Sequence, residues 1–133
     1  EGDFAGTGCA ISGNGQRIAI FSPQLGNPGL GRVLAYNWNP LLLSWSQLGQ
    51  TILGGSNGDK DTIAMSSDGS SIIVGALNEG VARVYRYSPT ALQWQQVGLA
   101  MIGRTSFGQA VSINHDGTIV AVAAPRLFPG RVQ

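Results

Sequence analysis

The chain repeats itself, and a repeat of this period constrains the fold more than any single motif does. AMSSDGSSIIVGAL (Ala64 to Leu77) returns forty-eight residues later as SINHDGTIVAVAAP (Ser112 to Pro125). YNWNPLLLSWSQLGQ (Tyr36 to Gln50) matches YRYSPTALQWQQVGL (Tyr85 to Leu99) at a constant offset of 49, with Trp45 falling on Trp94. The turn dipeptides Asn14-Gly15, Asp68-Gly69 and Asp116-Gly117 mark the same point in three units. The first spacing is longer by about five residues, an insertion best placed in the turn-forming stretch QLGNPGLG (Gln24 to Gly31).

Within each unit the hydrophobic pattern has period two, and four short strands are expected. In the second unit these are Thr62 to Ser66, Ser71 to Leu77, Val81 to Tyr87 and Leu92 to Gly98, the first two joined by a two-residue Asp68-Gly69 hairpin. The first unit supplies Gly8 to Ser12, Arg17 to Ser22, Arg32 to Trp38 and Ser44 to Gly49. A third begins at Phe107 and stops inside its third strand at Arg131-Val132-Gln133. IIVGA (Ile72 to Ala76) and IVAVAA (Ile119 to Ala124) are apolar on both faces, as strands covered from either side must be. Four antiparallel strands at this period predict an all-β propeller, with blades at 1–58 and 59–106 and an incomplete blade at 107–133. A β-sandwich, the competing architecture, leaves the in-register return of Tyr36, Tyr85, Trp45 and Trp94 unexplained.

Composition agrees with a turn-rich β protein: there are 20 Gly and 6 Pro, only 11% charged residues, and 43% hydrophobic residues to fill a core. A formal charge of +1 lacks the basic excess that a nucleic-acid surface requires, so nucleic acid is not an expected partner. No apolar run is long enough for membrane insertion as a helix, and the opening EGDFAGTG has no signal-peptide pattern. The lone Cys9 is expected to be a small buried apolar residue.

Candidate chemistry is sparse. SNGDKD (Ser56 to Asp61) places oxygen-bearing side chains at Asn57, Asp59 and Asp61, the alternation by which calcium loops gather ligands. Lys60 in its middle and its place between units favour a solvated turn, so no cofactor is expected and calcium is the alternative. His115, the single histidine, sits on a hairpin tip, and one His with one Cys gives neither a hydrolytic triad nor a zinc site. No enzyme activity is expected. Trp45 and Trp94 are expected to pack between blades, whereas Trp38 and Tyr87, read as alternating with the packed positions, are candidates for exposed glycan-stacking aromatics.

FGQAVSINHDGTIVAVAAP (Phe107 to Pro125) resembles the FG-GAP repeat of integrin-type β-propellers, with Phe-Gly before the innermost strand and Gly-Ala-Pro after the second. Phe107-Gly108 and Ala123-Ala124-Pro125 carry the pattern in the third unit. Gly75-Ala76-Leu77 keeps two of three positions in the second, and Phe21-Ser22-Pro23 keeps only the proline. Ala5-Gly6 and Asp59-Lys60 stand where Phe-Gly would in the first and second units. The resemblance implies an extracellular or cell-surface module for adhesion, scaffolding or assembly, with a glycan-binding propeller as the alternative. Since a ring needs at least four blades, the expected partners are the remainder of a longer propeller chain or other protein chains.

Overall fold

The computed structural model describes residues 6–23, 31–54, 62–104, 106–124 and 131–132. These residues build three antiparallel sheets and no helix. The first contains β1 (Gly8–Ile11), β2 (Arg17–Ser22), β3 (Arg32–Asn39), β4 (Ser44–Gln47) and the short β5 (Ile52–Leu53). The second contains β6 (Thr62–Met65), β7 (Ser71–Ala76), β8 (Val81–Ser88) and β9 (Gln93–Ile102). The third contains β10 (Ala110–Ile113), β11 (Val120–Ala124) and β12 (Arg131–Val132). Within each sheet every strand pairs with the next in sequence, except that β5 pairs with β3 beyond the end of β4.

The Gly-containing turns are wider than the two-residue hairpin expected from Asp68-Gly69. Ser66 N–H donates to the Ser71 carbonyl, leaving four residues in the loop, and Gly69 lies in the left-handed region at φ 70°. The extra width is bridged by a side chain. Ser66 Oγ accepts the returning Ser71 N–H at 2.9 Å, Ser12 Oγ accepts Arg17 N–H at 2.9 Å, and Asn114 Oδ1 accepts Ile119 N–H at 2.9 Å. Ser, Ser and Asn therefore do one job at equivalent positions.

The second hairpin of each complete sheet also repeats. Leu43 and Leu92 both adopt positive φ, at 48° and 54°, in turns closed by Asn39 Oδ1 and Ser88 Oγ accepting backbone N–H groups. Leu92, expected to open the outer strand, is thus a turn residue. After these turns the outer strand kinks at a glycine with positive φ, Gly49 or Gly98. In the first sheet the kink splits β4 from β5; in the second, β9 runs through it with a register shift opposite Ala82/Val84.

Two cores lie between the sheets. Ala19, Phe21, Val33 and Ala35 of the first sheet pack against Met65, Ile72, Val74 and Trp94 of the second. Ile73 and Ala82, on the other face of the second sheet, pack with Phe107, Val122 and Ala124 of the third unit. Consequently β7 is buried along its whole length, Ile72 and Val74 facing one neighbour and Ile73 the other. At roughly 1.5–3 kcal/mol per fully buried aliphatic side chain, these junctions are the main source of stability.

Glycines set how closely the second junction closes. Thr62 Oγ1 donates to the Gly108 carbonyl at 2.8 Å, and a Cβ on Gly75 would collide with that same carbonyl oxygen. Phe107 lies against Gly103, where a Cβ would overlap its ring. Phe107-Gly108 thereby seats on Gly75-Ala76 of the sheet before it. The first junction instead takes its buried phenylalanine from the first sheet, as Phe21, at the position equivalent to Gly75.

Ser22 is 2% exposed and its hydroxyl has no hydrogen-bond partner among the described residues, while the second sheet has Ala76 at the equivalent position. Ser22→Ala is therefore expected to raise the unfolding free energy by about 1 kcal/mol in urea denaturation, since it removes an unsatisfied buried hydroxyl. A loss of stability would mean that the hydroxyl has a partner.

Candidate functional site

The two faces of each complete sheet are not alike, and the same difference recurs from one sheet to the next. The forward face of the second sheet, which carries Ile63, Met65, Ile72, Val74, Tyr85, Tyr87 and Trp94, is covered by the first sheet. Its equivalents in the first sheet are Cys9, Ile11, Ile18, Ile20, Tyr36, Trp38 and Trp45. That face has no cover among the described residues. Met65 is 8% exposed and Ile11 62%; Trp94 is 3% exposed and Trp45 41%.

Trp94 is held across the junction by three consecutive residues of the first sheet. Its indole Nε1–H donates to the Leu48 carbonyl at 2.8 Å. Gln50 completes a two-way clamp on the Trp94 backbone, its amide donating to the Trp94 carbonyl at 2.7 Å and its Oε1 accepting Trp94 N–H at 2.8 Å. Between them, Gly49 has φ 74°, and a Cβ there would come within 2.8 Å of Trp94 Cδ1. The ring passes directly over the glycine. At the equivalent kink of the second sheet, a Cβ on Gly98 would meet none of the described residues within 4 Å, and Leu99 is 94% exposed.

Arginines stitch the sheets at the turn side. Arg17 Nη1 donates to the Gly69 carbonyl at 3.0 Å, and its guanidinium lies 5.7 Å from the Tyr87 ring centroid. At the next junction Arg86 Nη2 donates to the Asp116 carbonyl at 3.3 Å. Arg17 pairs across strands with Asn37, and at the equivalent rung Ser71 pairs with Arg86. The arginine has changed strands while its guanidinium still reaches the next turn. Backbone bonds from Gly13 N–H to the Ser67 carbonyl, at 2.7 Å, and from Asp68 N–H to the His115 carbonyl, at 3.0 Å, complete the seam.

The aromatic expectation needs correction. Trp38 stands directly opposite Trp45, and Tyr87 directly opposite Trp94, so each pair shares one face rather than alternating between two. Both pairs have centroids 5.4 Å apart, with interplanar angles of 60° and 59°. Tyr87 packs into the first core, whereas Trp38 is half-buried beside the exposed Trp45. Expected interblade packing fits the surroundings of Trp94 but not those of Trp45. Cys9 is exposed rather than buried, because β1 turns it onto the uncovered face with Ile11.

Asn57, Asp59 and Asp61, the calcium candidate, lie outside the described residues. Among the described residues no three His, Cys, Asp or Glu side chains gather as metal ligands, and no helix is long and apolar enough to cross a membrane. His115 is exposed on its turn. Beyond the third sheet's β10 and β11, Ser112, Asn114, Ile119 and Ala121 line part of an open concavity of 210 Å³. The clamp formed by Leu48, Gly49 and Gln50 was missed at the sequence level. Its visible signal was the return of glycine at Gly98, in register with Gly49. No protein-family model matches the chain, and no curated protein matches it.

The turn carboxylates are tied to their own loops. Burial acts to raise the Asp68 carboxyl, but Ser66 Oγ at 2.6 Å and the Ser70 N–H and hydroxyl at 2.9 Å outweigh it, with His115 adding the smallest pull, and the group sits below its ordinary value. The Thr118 hydroxyl, at 2.6 Å, and its N–H hold Asp116 low in the same way. A carboxylate lowered by folding contributes stability that is present above its unfolded value of about 3.9 and is lost as pH falls through the lower folded one. Asn14 fills the same place in the first sheet, so Asp68→Asn is compatible with the turn. It is expected to flatten the fall in chemical-denaturation stability below about pH 4. An unchanged acid slope would contradict the assigned hydrogen bonds.

Proposed function

We propose that the three sheets are consecutive blades of a β-propeller of the FG-GAP type, forming a non-enzymatic module for adhesion, scaffolding or assembly. The observation that carries this reading is the equivalence of faces. Each blade offers a forward apolar face and a rear apolar face, and the forward face of the second blade rests on the rear face of the first. Sheets stacked in that sense, about four to eight of them, close into a ring. The contact of Phe107-Gly108 with Gly75-Ala76 gives the two halves of the repeat motif a shared physical purpose at one junction. A location outside the cell or at its surface follows from the resemblance alone.

The working surface of such a module is its sheet faces and loop tips, and here one loop tip is strongly apolar. Leu41, Leu42 and Leu43 project from one hairpin tip and are all strongly exposed. Glycan binding is the second reading, favoured by one observation: the edge-to-face Trp38–Trp45 pair keeps part of its aromatic surface open. Tyr87, the equivalent of Trp38, is instead covered by Arg17 and the first core, so the two blades do not present matching aromatic platforms.

Two measurements separate these readings. Electron micrographs of the native protein are expected to show ring-shaped particles with a central channel, and two-layered particles without one would overturn the propeller reading. A glycan array at millimolar calcium, with and without chelator, is expected to show no binding. Chelator-sensitive binding would replace the scaffold reading with a lectin and bring Asn57, Asp59 and Asp61 back as calcium ligands.

A further inference from the structure

Four features of the first sheet's forward face are open where their equivalents in later sheets are covered by a preceding sheet. Among the described residues Trp45 has no counterpart of the carbonyl and glutamine that hold Trp94. Ile11 lacks the cover that buries Met65. A Cβ on Gly15 would meet none of the described residues within 4 Å, whereas one on Gly69 would meet Arg17 Cδ at 2.8 Å and one on Gly117 would meet Ser71. Cys9 is exposed where Ile63 packs against the first core. The Trp38–Trp45 pair matches the seated Tyr87–Trp94 pair in centroid distance and interplanar angle.

We propose that this face is a docking surface for a further four-stranded sheet of the same repeat. Its outer strand carries an apolar-Gly-Gln kink that clamps Trp45 as Leu48-Gly49-Gln50 clamps Trp94. The same sheet presents an arginine to the Gly15 carbonyl, as Arg17 does to Gly69. The kink requirement identifies the occupant. In a second copy of this chain, Leu48-Gly49-Gln50 is filled by Trp94, and the other kink, Val97-Gly98-Leu99, has leucine where the two glutamine bonds are needed. The described residues of another copy therefore offer no clamp, and the occupant is a distinct sheet with its own glutamine. The assignment rests on the propeller reading.

Cys9, the only cysteine in the chain, lies on this face and reports on its cover. In the native protein, isolated with the chains it is bound to, alkylation of Cys9 by N-ethylmaleimide is expected to be about a hundredfold slower than in guanidinium. The protection should survive about tenfold dilution, as a tightly docked sheet requires. Trp45→Ala should move the rate toward the unfolded value, while circular dichroism still reports β structure. Alkylation of the native wild-type protein at the unfolded rate would overturn the proposal, and so would protection that disappears on dilution, which would point to a second copy. Ring-shaped particles with a freely reactive Cys9 would sink the docking assignment and leave the propeller standing. Absence of rings would remove the reading beneath it.

Discussion

A tryptophan ring packed against a glycine fixes how the first and second sheets meet. Two twisted sheets packed through aliphatic side chains alone can slide by a residue at modest cost, because the hydrophobic effect has no direction. The Trp94 indole removes that freedom. Its N–H reaches the Leu48 carbonyl only if the ring lies over residue 49, and the ring fits there only if residue 49 lacks a Cβ. Gln50 then takes both backbone hydrogen-bonding groups of Trp94, so an outer strand that would otherwise present an unpaired edge is tied to its neighbour. Burial supplies the energy, and these three bonds supply the register.

The two junctions reach the same result with different residues. One buried phenylalanine fills each: Phe21 projects backward from the first sheet, and Phe107 comes forward from the third unit into space left by Gly75 and Gly103. One guanidinium reaches across each, from Arg17 on β2 or from Arg86 on β8, with the other rung position holding Asn37 as the partner of Arg17 and Ser71 as that of Arg86. What persists is a chemical group at a place in space. That is why the motif looks worn in the sequence while the packing stays regular.

Much of the architecture was legible in the sequence for simple reasons. Strand alternation, the Gly turns and the doubly apolar stretch Ile72 to Ala76 each express a local requirement, and β7 is buried on both faces as that stretch implies. Facing across hairpins was not legible. Tyr87 and Trp94 were read as lying on opposite faces, because their relation depends on a turn whose length is set by Leu92 in the left-handed region, a conformation leucine seldom adopts. Cys9 was misplaced because its composition-based expectation ignored which sheet covers β1. The clamp was hidden for a different reason: two of its three hydrogen-bonding partners on Trp94 are main-chain groups, and its central residue acts through the atom it lacks.

The central claim, that Trp94 and Gly49 act as one interlocking unit, is tested most directly by a double-mutant cycle on chemical unfolding. Gly49→Ala introduces a Cβ into the ring and strains a positive φ, whereas in a Trp94→Leu background only the backbone strain remains. The predicted result is a coupling energy of about 1 kcal/mol or more, well above the additivity limit of about 0.3–0.5 kcal/mol for independent sites. Additive costs for the two substitutions would show that the ring does not rest on the glycine, and would contradict the account.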